Sequence, residues 1–186
     1  MDNNQRKQLT DVCKRLLSEE KVGLILAYTD GDLENSAIPF FVRKPDEIDK
    51  LKWDDYCNPN LAKYLLEKQG KVGIVAKPCD ARAIVMYIVE NQVARDNIYI
   101  IGMECKGMKK HDGSLSPGCD ECTVHIPPLF DILIKSNGEV AEQKYNAKPD
   151  SEIVPYTGAA EDNGAYGEAE SGDIQKEKLE KFRNEL

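Results

Sequence analysis

The chain has 186 residues, 41% hydrophobic and 31% charged, a globular balance at a length that buries roughly 70% of the unfolded surface without needing disulfides or metals. Lys and Arg number 25 against 33 Asp and Glu, a net charge of −8, which argues against nucleic-acid backbones and anionic membranes as partners. The longest apolar runs, such as 22–28, are too short to span a bilayer. The opening MDNNQRKQLT has no apolar signal region, so the expected location is the cytoplasm.

In chain order, Leu9, Val12, Cys13, Leu16 and Leu17 fall at i, i+3, i+4, i+7 and i+8, one face of an amphipathic helix. Cys13 is expected to serve there as a small buried hydrophobe. Residues 22–28 (VGLILAY) form a near-continuous apolar run, the pattern of a buried strand. The turn 29–32 follows, with Gly31 expected at positive φ. Residues 38–42 are a second strand, hairpin-paired to the first and placed at an edge by Pro39.

Asn58 and Pro59 look like an N-cap followed by proline at the first helical position. The expected helix runs through Leu61, Leu65 and Leu66 to Gln69 and stops at Gly70. A buried strand at 72–76 leads into Lys77-Pro78-Cys79-Asp80. A helix is expected over 80–93, with Ala83, Ile84, Tyr87 and Ile88 or Val89 inward. Residues 97–102 (NIYIIG) are another buried strand. Strand, helix, strand implies a parallel pair.

Residues 103–128 change character: Gly, Pro, Lys, Asp and Cys dominate and no period is visible, the pattern of a long functional loop. A strand over 130–135 follows, and Asn137-Gly138 marks a tight turn. Beyond about residue 147 the apolar periodicity fades. Residues 158–172 are a Gly-, Ala- and Glu-rich linker, and 174–186 a short charged helix. That helix carries too few apolar residues to fold alone, so a partner or a further domain is expected to meet it. The domain division is therefore 1–146, an α/β domain, and 147–186, an acidic linker with a short helix.

Six cysteines stand at 13, 57, 79, 105, 119 and 122. In a chain without a secretory leader, metal ligation or redox chemistry explains them better than a disulfide framework. Cys79, Cys105, Cys119 and Cys122 have the spacing C-x25-C-x13-C-x2-C. Cys79 and Cys105 follow neighbouring strands, at the carboxyl ends where open α/β sheets bind ligands. The Cys119–Cys122 loop folds over them as a lid. A helix N-terminus at Cys79, with Lys77, Arg82 and Lys106 nearby, favours thiolates. Gly102, Gly107 and Gly118 let backbone amides approach sulfur.

Four thiolates hold a [4Fe–4S] cluster or a tetrahedral zinc ion, and spacing alone leaves the two level. A redox dithiol at Cys119 and Cys122 is the weaker option, because the pair lies in a Pro/Gly-rich loop rather than at a strand-to-helix junction. Cys57, just before the expected cap, is not assigned to the set. His111 and His125 flank the C-x2-C as loop residues, and His125 is the better placed to tune a metal centre through a hydrogen bond. The acidic pairs Glu19–Glu20 and Asp54–Asp55 are read as solvated surface.

The segments KVGIVAKPCDARAIV, NIYIIGMECKG and CDECTVHIPPLFDILI resemble the beta subunits of coenzyme F420-reducing hydrogenases and F420-dependent formate dehydrogenases, over about residues 20–140. The shared order is a strand into a Pro-Cys turn and helix, a strand ending in Gly-x-x-Cys, then C-x2-C and an Asp-containing strand. The resemblance implies that Cys79, Cys105, Cys119 and Cys122 ligate one [4Fe–4S] cluster and matches Asp131 to the aspartate of the last segment. It also implies Lys77, Asp80 and Arg82 as cofactor-contacting positions, FAD as a further cofactor, and other subunits of an anaerobic redox complex, including a ferredoxin-like domain, as partners. KPCDAR replaces the commoner Pro-Cys-Gln turn, the mark of a divergent or truncated branch.

The expected fold is α/β, a mixed, largely parallel sheet flanked by helices, with a long cysteine-bearing loop at one end. The expected function is an iron–sulfur electron-transfer subunit of a hydrogenase, formate dehydrogenase or heterodisulfide reductase type of complex. The alternatives are a zinc-stabilised interaction module and the Cys119/Cys122 dithiol oxidoreductase.

Overall fold

The structure is a computed structural model and describes residues 3–143, apart from 67 and 69. The expected division at residue 147, the linker and the terminal helix lie outside the described residues. Two helices, α1 (Asn3–Ser18) and α2 (Pro78–Val89), accompany six strands: β1 (Leu24–Asp30), β2 (Ala37–Val42), β3 (Val72–Ala76), β4 (Ile98–Met103), β5 (Ile132–Ile134) and β6 (Val140–Glu142). The strand order is β2-β1-β3-β4-β5-β6. β1, β3, β4 and β5 run parallel, and the edge strands β2 and β6 are antiparallel. This is an α/β fold on a mixed, largely parallel sheet. Among the described residues no helix is long and apolar enough to cross a membrane.

Burial explains the apolar runs. Every residue of β3 is buried, as expected of a central parallel strand covered on both faces. α2 packs on β3 and β4 and α1 on β5. Leu9, Val12, Cys13, Leu16 and Leu17 of α1 all lie in the core, so the helical spacing identifies the inward face. β2 pairs with β1 at the sheet edge through Tyr28↔Pro39, where a residue without an N–H is tolerated. The Asn137–Gly138 turn joins β5 to β6, with Gly138 at φ 83°.

Several boundaries move. β1 starts at Leu24 rather than residue 22, β4 spans Ile98–Met103 rather than 97–102, and β5 keeps only Ile132–Ile134. α2 begins two residues earlier than expected, at Pro78, and ends at Val89. Gly31 is not at positive φ. The left-handed residue of that turn is Asn35, at φ 58°. Gly31 is required by close approach instead, since a Cβ there would strike the Ser36 side chain.

The largest departure is at 58–69. Among the described residues there no α-helix forms, and the regular element is a 3₁₀ turn over Ala62–Leu65. The Asn58 side chain donates 2.6 Å to Ser116 Oγ instead of capping a helix. The Pro59 carbonyl is drawn to Tyr28 and Lys77, and the Leu61 N–H to Asp80. Tertiary partners take the backbone groups that a helix would have used.

Candidate functional site

β3 and β4 end side by side, with Ala76 opposite Gly102 in the last registered pair. The chain leaving β3 therefore delivers Cys79 beside the chain leaving β4, which delivers Cys105. Proline at the first helical position starts α2 immediately after Lys77. Asp80 reaches back, its Oδ2 accepting the Lys77 N–H at 2.9 Å. Cys79 is thereby held in the first turn of α2, and its side chain faces solvent.

No helix or strand lies between β4 and β5, over residues 104–131, yet the segment is extensively bonded. The Cys105 N–H donates to the His125 carbonyl at 2.9 Å, and the His125 ring Nδ1 meets the Cys105 carbonyl at 2.9 Å. His125 thus clasps the backbone of Cys105 from both sides. The Gly107 N–H donates to Cys105 Sγ at 3.4 Å. A Cβ on Gly107, which sits at φ 107°, would lie 3.7 Å from Cys119 Cβ. Cys119 is therefore folded back over the turn that holds Cys105. The Cys122 N–H donates to the Cys119 carbonyl at 3.3 Å, which closes the C-x2-C turn. The Cys122 thiol donates to the Val124 carbonyl at 3.5 Å.

The segment is also braced from outside. The Lys109 N–H donates to the Asp55 carbonyl at 2.6 Å, and Lys109 Nζ pairs with the Asp55 carboxylate at 2.8 Å. Asn58 holds Ser116, as above. The return of the loop rests on Gly102, where a Cβ would lie 2.9 Å from Phe130 Cβ. Glycine is required at that position by packing, not by sulfur. Gly118, at φ 79° with open space around it, serves a turn. Of the three glycines expected to approach sulfur, only Gly107 donates its N–H to one among the described residues.

The electrostatics tie three of the thiols together. Burial pushes the Cys105 thiol up to about 11, the Cys79 and Cys119 sulfurs push the same way, and Lys77 and the Gly107 N–H pull down. Burial and the Asp80 carboxylate raise the Cys79 thiol, and Lys77 and the helix N–H groups lower it. Cys105 is therefore within the field of both Cys79 and Cys119. A cation placed among them would relieve the mutual repulsion and displace the thiol protons. Among the described residues no three His, Cys, Asp or Glu side chains converge closely enough to hold a single metal ion.

The remaining cysteines are of a different kind. Cys13 is fully buried and its thiol is raised by burial alone. Cys57 is fully buried too, accepts the Asp54 N–H at 3.4 Å, and is pushed up to about 12, chiefly by burial.

The three other expected site residues separate. Arg82 is exposed on α2. Lys77 and Asp80 are 1% and 0% exposed and form an internal ion pair at 2.9 Å. Asp131 pairs with Arg95 at 2.6 Å and accepts the Ile100 N–H at 2.7 Å, fastening the start of β5 to β4. Two features of the site had no signal in sequence order. One is the brace from 55–58; Asp55 looked like solvated surface and Asn58 like a cap. The other is Tyr28, whose hydroxyl meets Lys77 beneath Cys79.

No family model matches the chain. It is 36% identical over 104 residues to the F420-dependent formate dehydrogenase subunit beta of Methanocaldococcus jannaschii, covering 53% of this chain and 27% of that protein. It is 31% identical over 102 residues to the F420-dependent formate dehydrogenase 1 subunit beta of Methanococcus maripaludis, covering 53% and 26%. The chain thus spans about a quarter of the length of the curated relatives it matches. Its fold matches a chain of the F420-reducing [NiFe] hydrogenase complex from Methanosarcina barkeri, with a TM-score of 0.52 and 16% identity over 60% of this chain and 44% of that one.

Proposed function

From its kinship with the F420 hydrogenase and formate dehydrogenase beta subunits, as a divergent relative, we propose that this chain is an electron-transfer module of a multi-subunit redox complex. In this reading Cys79, Cys105, Cys119 and Cys122 hold one [4Fe–4S] cluster. The cluster supplies one-electron redox chemistry; the chain holds it, sets its potential and shields it. The partners are other subunits of a hydrogenase, formate dehydrogenase or heterodisulfide reductase type of complex, and a flavin or F420 is the two-electron cofactor of such an assembly.

The observation that carries the proposal is the placement of Cys79 and Cys105 just past the paired ends of β3 and β4, with Cys119 folded back over the Cys105 turn. The donor set suits a cluster. The Gly107 N–H on Cys105 Sγ is a hydrogen bond of the type that tunes cluster potential. Cys122 completes the set by rotating its thiol away from the Val124 carbonyl.

The test is iron, zinc and acid-labile sulfide per chain on protein purified without oxygen. About four irons and four sulfides are expected. Cys79→Ser and Cys105→Ser should each lose or convert the cluster, and Cys13→Ser should keep it. One zinc without sulfide would make the chain a braced interaction module. No metal, with a reversible Cys119–Cys122 disulfide, would make it a dithiol oxidoreductase. Either result overturns the proposal.

A further inference from the structure

Lys77 is buried to 1% exposure beside Asp80, at 0%. Its Nζ donates to Asp80 Oδ2 at 2.9 Å, to the Pro59 carbonyl at 3.0 Å and to the Tyr28 hydroxyl. It stands 4.7 Å from the Tyr28 ring centroid. The Tyr28 hydroxyl donates its own hydrogen bond to the Pro59 carbonyl at 2.7 Å. Asp80 is equally saturated: Oδ2 takes the Lys77 N–H at 2.9 Å and Oδ1 the Leu61 N–H at 3.2 Å.

In the fold the ammonium satisfies its own buried partners, the Asp80 carboxylate, the Pro59 carbonyl and the Tyr28 hydroxyl. A buried ion pair is frequently no more stabilising than an apolar pair of the same volume. Asp80 starts α2 through the Lys77 backbone N–H, which any residue but proline supplies at that position. What the ammonium has nearby, besides its own partners, is the cysteine centre. Lys77 lies two residues before Cys79 and directly past β3, whose neighbour β4 leads to Cys105.

We propose that Lys77 is the fixed interior counter-charge of the cysteine centre, a positioning residue that favours added negative charge there, with Asp80 as its opposing trim. This deepens the electron-transfer reading and rests on it. Reduction of the cluster adds one electron from a one-electron donor, with no bond made or broken and no proton taken up. An ammonium held in a low-dielectric interior stabilises the reduced form, and a carboxylate in the same place destabilises it. Water cannot screen either, because both are closed off from solvent.

The two charges therefore predict shifts of opposite sign. The experiment is a dye-mediated reductive titration with dithionite, followed by electron spin resonance, on the full chain purified without oxygen. Lys77→Met should disfavour reduction about tenfold, about 59 mV for one electron. Asp80→Asn, which keeps an acceptor for the helix start, should favour reduction by a similar factor. The double variant should return close to the parent. If Lys77→Met does not fold, as judged by circular dichroism, Asp80→Asn and the double variant still decide. A cluster that loads normally but shows unmoved potentials, or shifts in the same direction for both changes, overturns this assignment and leaves the electron-transfer reading intact. A parent chain that takes up no iron and sulfide overturns both.

Discussion

Asp131 offers a separation of scaffold from site. The resemblance matches it to a shared aspartate, but its carboxylate holds Arg95 at 2.6 Å and the Ile100 N–H at 2.7 Å, below the cysteine end of β4. Asp131→Ala removes two charge-assisted hydrogen bonds, each contributing about 1.5–3 kcal/mol. It also takes the carboxylate away from Arg95, whose Nη1 still donates to the Ile98 carbonyl at 2.8 Å. The two side chains are 14% and 11% exposed, so water recovers part of the loss, and about 2–4 kcal/mol of destabilisation is expected. Asp131→Asn keeps an acceptor for Ile100 and gives up the ion pair, about 1–2 kcal/mol. Urea unfolding under reducing conditions measures both, and an unchanged slope would show that the stability itself has moved. Iron bound per folded chain should be the same in both variants as in the parent. A cost under about 0.5 kcal/mol for Asp131→Ala, the range of an ordinary surface change, would refute the reasoning. Normal stability with lost iron would instead make Asp131 part of the centre.

The cysteines should sort by environment in the reduced, metal-free protein. Cys79 should react first with iodoacetamide at pH 8, and Cys13 and Cys57 only in denaturant; mass spectrometry of the digest reads the order, and a Cys57 as quick as Cys79 would contradict the fold. The Cys57 thiol, ordinarily near 9.0, is pushed up to about 12 by burial. The neutral form is the one the fold accepts, so its contribution is intact below about pH 9 and is lost as pH rises toward 12. Cys57→Ala should flatten that alkaline loss of stability in urea titrations across the range, and an unchanged slope would show that other groups control it. Asn58→Ala removes the bond to Ser116 Oγ. It should speed amide exchange around 108–116 while leaving β3 and β4 protected; unaltered exchange there would mean that Lys109 and Asp55 brace the loop by themselves.

Periodicity and spacing were enough to locate α1 and its inward face, the buried strands β1, β3 and β4, the edge strand marked by Pro39 and the Asn137–Gly138 hairpin. Each of these is dictated locally: apolar runs must be covered, a residue without an N–H goes to an edge, and positive φ calls for glycine or asparagine. The same logic brought Cys79 and Cys105 together, since parallel neighbouring strands end side by side. What failed was local reading where distant groups compete for the backbone. Asn58 and Pro59 carry a helix-start signal, yet Ser116 takes the Asn58 side chain, Tyr28 and Lys77 the Pro59 carbonyl and Asp80 the Leu61 N–H, and no α-helix forms among the described residues. Gly31 and Gly102 are required by neighbours 5 and 28 residues along the chain, Ser36 and Phe130, which no turn rule foresees. Lys77 was legible in the sequence as a positive charge near the Cys79 thiol. Only the folded chain encloses it between Tyr28, Pro59 and Asp80, because whether a charge is solvated or sealed depends on what packs over it.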